Sequence, residues 1–331
     1  MEEIKNLCEV ENFEVAKSDN ELNTDAQAVK KKKKKKVIII LVITGVILAI
    51  ALFFALDVFL RLRSTFHLIH QPIGPGVVDW REDEGLPPLE LGEDPFAVLI
   101  LGLDEGRSDT IMVATVNPNE GTTYLLSIAR DTMVTIPGFG TTRLNHAHAY
   151  GGIDLAINTV QEFLNIPITY FATLVDDEFY ALVDAFGGVN VYNNTVAFSL
   201  GGYHFPLGDI SLTGASAYYY VRMRYEDPRG DFGRQERQRD VLQAMINEIA
   251  GVTVITRYQQ ILDSVGDAMR TNVTLGEMMT ISMSYNEALR NVIPLQLHYP
   301  GRIINGMYLI PIPEESRLSM SNHLRQHLEL E

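Results

Sequence analysis

Hydrophobic positions follow two regimes along the chain. From Val37 to Leu56 the sequence reads VIIILVITGVILAIALFFAL, 20 residues without a charge. At 1.5 Å rise per residue such a helix covers the roughly 30 Å of a hydrocarbon core. A secretory h-region is shorter, about 7–15 residues, so the pattern predicts a membrane-spanning helix over 37–60. Beyond it the apolar residues come in short runs. Phe96–Asp104 (FAVLILGLD) predicts a buried strand ending in Gly and Asp. Thr110–Asn117 and Thr122–Ala129 predict two strands joined by a hairpin turn at PNEG. Apolar residues at helical spacing predict a helix over Gly151–Asn165, and the strand ITYFATLV leads to a second helix, DDEFYALVDAF, that Gly187 and Gly188 terminate. Further helices are expected over Phe232–Ala250, Val254–Val265 and Leu275–Leu289, and short strands over Val292–Leu297 and Met307–Ile312. Strands alternating with helices give an α/β fold, a mixed sheet with helices on its faces.

The charged residues sharpen this picture. All nine lysines lie in the first 36 residues, seven of them in the unbroken run Lys30–Lys36. A basic run against an apolar span places residues 1–36 in the cytoplasm and the rest outside. Residues 61–94, with Pro72, Pro75, Pro87 and Pro88 and no sustained periodicity, read as a stalk, and 95–331 as the folded domain. From Val37 onward 18 arginines face 34 acids, a net charge of −16. Such a surface repels nucleic acid, which is excluded as a partner. The single cysteine, Cys8, precedes the apolar span, so the external part is held together without a disulfide.

On that acidic background the stretch Tyr218–Asp240 (YYYVRMRYEDPRGDFGRQERQRD) holds six arginines in 23 residues. If VRMR is extended, Arg222 and Arg224 point to one side. On the helix that follows, Arg234 shares a face with Arg237 and Gln238. Arginine forks grip phosphate oxygens bidentately and keep their proton in any setting. The plain alternative is an ion-pair network with Glu226, Asp227, Asp231, Glu236 and Asp240. A second cluster, LGLDEGRSDT, sets Asp104 at a strand end and Asp109 five residues on. Two carboxylates there are hard oxygen ligands of the kind Mg²⁺ takes while keeping waters. A third, SIARDTMVTIPGFGTTRLNHAHAYGG, carries Arg130, Asp131, Arg143 and Asn145. Its His146–His148 pair lacks further ligands and reads as local packing.

GLDEGRSDTIMVATVNP, LLSIARDTMVTIPG, TRLNHAHAYGG and VRMRYEDPRGDFGRQERQRDVLQA together resemble the LytR-CpsA-Psr family of cell-wall glycopolymer ligases, in the family's order and over about Pro95 to Ile312. The resemblance implies an α/β/α sandwich with a hydrophobic pocket for the polyprenyl chain of a lipid-linked pyrophosphate. It implies Mg²⁺, or Mn²⁺, at acids matching Asp104 and Asp109. It also implies a pyrophosphate clamp of Arg130, Arg222, Arg224 and Arg234 with Gln238, and Arg143 beside them. The expected reaction moves a glycopolymer phosphate from the carrier to peptidoglycan, with Asp109 or Asp131 as candidates for accepting a proton. Hydrolysis of the same lipid, or lipid binding without catalysis, are the alternatives. Two departures from the family pattern stand out. Only four residues separate Asp104 from Asp109, and Ala129 occupies a position where members often carry proline.

Overall fold

The computed structural model describes residues 41–249 and 252–330. The lysine run and the expected cytoplasmic tail lie outside the described residues. The chain divides into two units, Met1–Leu60 and Arg61–Glu331. Helix α1, Leu41–Ile69, has a mean hydropathy of 2.7 over its most apolar window, and none of that window is buried against protein. Unpaired apolar side chains all around a helix suit lipid, not water.

Within the second unit the last turns of α1 are packed, with Thr65 and Ile69 buried. The expectation of a stalk over 61–94 is therefore corrected. The prolines do prevent a long helix, leaving one short turn, α2 (Trp80–Asp83). The backbone nonetheless finds fixed partners in the domain. Gln71 N donates to Thr271 O at 2.8 Å and Gly74 N to Asp154 Oδ1 at 3.1 Å. Asn158 bridges Val78 N and Gly76 O, and Tyr285 donates its hydroxyl to Asp94 O at 2.7 Å.

The central sheet begins with β1 (Phe96–Asp104), β2 (Arg107–Asn117) and β3 (Thr122–Ser127), an antiparallel meander whose second turn is the expected PNEG. A small hairpin follows, β4 (Met133–Ile136) and β5 (Gly140–Arg143), then α3 (His146–Leu164), kinked at Gly151 and Gly152. Strand β6 (Tyr170–Val175) returns parallel to β1 and α4 (Asp176–Phe186) follows it, capped by left-handed Gly187. Two hairpins absent from the sequence reading come next: β7 (Val189–Asn193) with β10 (Gly208–Leu212), enclosing β8 (Phe198–Leu200) with β9 (Tyr203–Phe205). Helices α5 (Gly214–Arg222), α6 (Asp231–Ile249) and α7 (Val252–Ala268) lead to β11 (Met269–Thr271). Then come α8 (Leu275–Ser284), α9 (Asn286–Arg290), β12 (Val292–Gln296), the hairpin β13 (Arg302–Ile304) with β14 (Met307–Leu309), and α10 (Glu314–His327).

The six-stranded sheet runs β11-β6-β1-β2-β3-β12 and is mixed, with β6 parallel to β1 and β12 parallel to β3. Pro294 is tolerated in β12 because that strand is an edge. Side chains alternate along β1. Ala97, Leu99 and Leu101 join Ile157, Val160 and Leu164 of α3 and Leu324 of α10 in the main core. Val98 and Ile100 face the opposite layer, where Met112, Ala114 and Leu242 of α6 pack. A separate core, centred on Val183, Ala217, Tyr220 and Val241, binds α4, α5 and α6 to the two small hairpins. Helices cover both faces of a mixed sheet, which is the α/β/α sandwich expected.

Candidate functional site

The β1–β2 hairpin turns on Glu105 and Gly106, both with positive φ (47° and 80°), the requirement of a two-residue turn with the sheet's own twist. Its register slips between Gly102 and Leu103: Gly102 pairs with Thr110 and Leu103 with Ser108. Asp109 is therefore a surplus residue, a β-bulge, of the kind that re-aims a side chain beside a site. The bulge lets Asp109 share the face of Thr110, so Asp104, Asp109 and Thr110 all line one cavity. His148, at the start of α3, donates from Nδ1 to Gly106 O at 3.0 Å and pins the turn. His146 meets the Thr142 and Tyr150 hydroxyls. The two histidines do local packing work, as the sequence suggested, and the described residues contain no cluster of three metal-ligating side chains.

The arginine stretch folds differently from expectation. VRMR is not extended: Thr213 and Ser216 form a capping box, Asp184 Oδ1 accepts from Gly214 N, and α5 runs through Arg222. Tyr218 and Arg222, four apart, stack with the guanidinium 4.2 Å from the ring centre. Extended backbone begins only at Met223. The six arginines then divide. Asp227, buried, accepts from Arg237 at 2.7 Å and Arg229 at 3.2 Å, and Arg237 also donates to Met223 O. Burial pushes the Asp227 carboxyl up, but the bonds from Arg229 and Arg237 outweigh it and hold the group below its ordinary range. Arg239 donates to Ser127 Oγ at 2.7 Å. Arg229 and Arg237 organise the loop, as the ion-pair alternative held, while Arg239 ties α6 to β3. Arg222, Arg224 and Arg234 are left for the site.

That site is a cavity of about 250 Å³ with two unlike ends. Ile100, Met112, Leu174, Phe179, Val221 and Leu242 form an apolar end between sheet, α4, α5 and α6. Asp104, Asp109, Arg222, Arg234 and Gln238 form a charged end. Arg222 reaches Asp104 at 3.1 Å, and Arg130 reaches Asp109 at 2.5 Å. Arg234, 7% exposed, pairs with Asp231 at 2.8 Å and donates to Asp109 O at 3.3 Å. Burial, aided by the charges of Arg130 and Arg224, lowers its proton affinity, and Asp231 and Asp109 oppose this. Its Nε and the Gln238 Oε1 are buried without a hydrogen-bond partner. Unmet polar atoms aimed at a cavity mark a place for a polar ligand. Arg224 does not line the cavity; its guanidinium stands 5.1 Å from the exposed Tyr225 ring. Arg130 also contacts Asp131 at 3.8 Å, and Asp131 contacts Arg143 at 3.3 Å, a pair just outside the lining.

Of the residues expected at the site, the structure thus brings together Asp104, Asp109, Arg130, Arg222, Arg234 and Gln238, and sets Asp131, Arg143 and Arg224 at its border. The apolar lining was not picked out in advance. Even-numbered positions of β1 carried a signal, since 100, 102 and 104 share a face with the acids. Tyr218, which supports Arg222, had none.

Fold and site define a membrane-anchored α/β domain with a cavity that is greasy at one end and charged at the other. The profile of the LytR_cpsA_psr family matches residues 81–326, and the chain belongs to that family. The polyisoprenyl-teichoic acid–peptidoglycan teichoic acid transferase TagU of Halalkalibacterium halodurans is 40% identical over 296 residues, 87% of this chain and 96% of that protein. The enzyme of the same name from Bacillus subtilis is 42% identical over 243 residues, 72% of this chain and 79% of that protein. The crystal structure of B. subtilis TagU superposes with a TM-score of 0.60 at 37% identity, covering 72% of this chain and 99% of that one. A structure of TagT bound to LIIa-WTA gives 0.64 at 30% identity, covering 74% and 94%. With one helix among the described residues long and apolar enough to cross a membrane, the chain is a single-pass membrane protein.

Proposed function

We infer that this protein is a glycopolymer–peptidoglycan phosphotransferase. A sugar hydroxyl of peptidoglycan forms a bond to the phosphorus that bears the glycopolymer. The bridging P–O bond of the polyisoprenyl pyrophosphate breaks, and polyisoprenyl phosphate leaves. The two-ended cavity carries this reading. Its apolar end suits an isoprenoid chain, and its charged end offers Arg234 Nε unpartnered beside Arg222, Arg130 and Gln238. In a dry site such donors stabilise charge that builds on the phosphates far more than they would in water. Arg224 adds positive potential from the border.

Asp104 and Asp109 would hold Mg²⁺ or Mn²⁺. Two carboxylates on one cavity wall fit an ion that keeps several waters and takes its remaining ligands from phosphate. The chemistry such an ion supplies is neutralisation of pyrophosphate charge. In the structure each carboxylate instead faces an arginine, which holds it in place on the cavity wall. The acceptor's proton passes to a carboxylate. Asp109 lines the cavity but would be engaged by the ion, whereas Asp131 lies just beyond Arg130 and outside the ion's ligand set. Either placement has one of the two requirements, and Asp131 is the acceptor compatible with a bound ion. The lysine run sets the orientation, with the N-terminus in the cytoplasm and the domain outside.

The test uses the full chain in micelles with a lipid-linked donor, with and without a peptidoglycan oligomer. Glycopolymer should become covalently attached to the oligomer, chelation should stop this, and added Mg²⁺ should restore it. Arg222→Ala should abolish transfer while the chain stays folded. Phosphate release indifferent to acceptor would refute transfer in favour of hydrolysis.

A further inference from the structure

A phosphotransferase needs a second binding surface, and the charged end of the cavity leads to one. From Asp109 a chain of contacts runs outward through Arg130 and Asp131 to Arg143 at the end of β5. Beside Arg143, Thr142 meets His146, and at the other end of β5 the β4–β5 hairpin turns on Gly138 and Gly140, both at positive φ (78° and 80°), and lifts Phe139 into solvent. Tyr150, in the turn of α3 before its kink, stacks on Phe139 with ring centres 4.9 Å apart and planes at 29°. His146 lies 5.3 Å from Tyr150, and its Nδ1 meets the tyrosine hydroxyl at 3.2 Å. Phe139 is 57% exposed and Tyr150 47%. Two large rings that stack on each other yet leave half their surface in water form a flat apolar shelf with a polar rim, which folding alone does not require.

We propose that this shelf, Phe139 and Tyr150 rimmed by His146 and the Arg143–Asp131 pair, binds the acceptor glycan of peptidoglycan. The proposal rests on the transfer reading above. A pyranose ring has an apolar C–H face and a hydroxyl edge, which match flat rings edged by hydrogen-bonding groups. Position argues for the acceptor in particular. The carrier's tail occupies the apolar end, so an attack in line with the departing polyisoprenyl phosphate comes from the opposite side, where Asp109 and Arg130 lead to the shelf. The rim also holds Asp131, whose charge offsets Arg143 and makes the surface a poor match for an anionic polymer or an anionic lipid.

The experiment compares wild type, Phe139→Ala, Tyr150→Ala and Phe139→Tyr, each as the full chain in micelles. Acceptor concentration is varied at saturating donor, then donor concentration at saturating acceptor. The alanine variants should raise the acceptor KM by about tenfold, or ~1.4 kcal/mol. Their donor KM and their binding of a sugar-free polyisoprenyl diphosphate should stay unchanged. Phe139→Tyr, which keeps the ring, should retain the wild-type acceptor KM. An unchanged acceptor KM in both alanine variants overturns the proposal. So does a raised KM for the glycan-bearing donor, which would give the shelf to the donor's own polymer, or lost adhesion to phosphatidylglycerol vesicles with transfer intact. Wild-type chain that transfers nothing at all would instead count against the underlying transferase reading.

Discussion

Arg234 and Asp227 lie on neighbouring turns of one segment, and exchanging each for alanine should have opposite consequences. Arg234 is buried among like charges, with Arg130 and Arg224 opposing its proton and its Nε left without a partner. Removing it deletes the ion pair to Asp231 and the bond to Asp109 O, but it relieves that repulsion and leaves Asp231 with its bond from Gln235, so Arg234→Ala should lower folding stability by only about 1–2 kcal/mol. The donor would lose two charge-assisted hydrogen bonds of about 1.5–3 kcal/mol each. That lowers kcat/KM by a factor on the order of 10²–10⁴. Asp227→Ala should weigh mainly on stability. It strands Arg237, whose side chain is only 3% exposed, as a buried charge without its carboxylate. Breaking one side of such a pair costs about 3–5 kcal/mol. Equilibrium urea unfolding followed by the single Trp80, beside kcat/KM on a lipid-linked donor, separates the two. Arg234→Ala with activity intact, or with a stability loss equal to that of Asp227→Ala, would refute the division of the six arginines into clamp and scaffold.

Three further outcomes are expected. A Cβ at Gly214 would come within 2.0 Å of Tyr180 O, so Gly214→Ala should push α5 off α4, lower stability by about 1–3 kcal/mol and, through Arg222, reduce transfer; circular dichroism melts check the first effect. His327 is buried with its ring nitrogens against the Thr115 and Thr122 hydroxyls, and burial lowers its proton affinity. Below about pH 6.5 the unfolded chain therefore binds more protons than the native one. Tm should fall as pH drops from 6.5, and less so in His327→Gln. Asp240 has the opposite sign: burial, with Glu236 adding, raises its carboxyl to about 6. Asp240→Asn should be the more stable protein at pH 7.5, and its advantage should shrink as pH falls through 6 toward 4.

The sequence was most legible where one physical signal dominated. The run Phe96–Asp104 is observed as a strand with the same ends, and Gly187 caps α4 as expected. Both acids and four of the residues the family resemblance implied, Arg130, Arg222, Arg234 and Gln238, converge, whereas charge alone left an ion-pair network open, the role Arg229 and Arg237 in fact take. Where two signals competed, the reading failed. The extended reading of VRMR holds only from Met223, because the Thr213–Ser216 capping box and the close fit of Gly214 against Tyr180 carry α5 through Arg222. The prolines of 61–94 suggested a free linker, since partners such as Asp154 and Asn158 lie some 80 positions away. The hairpins of residues 189–212 have strands of three to five residues, too short for periodicity to rise above noise.

Asp109 is the odd residue in its hairpin. A chain that lacked it would run a regular ladder from Gly102 to the turn, with every backbone group of β2 opposite a mate, and would be the tidier fold. It would also have one carboxylate on the cavity wall where there are now two. Here a small irregularity in pairing is what sets a second acid on the cavity wall.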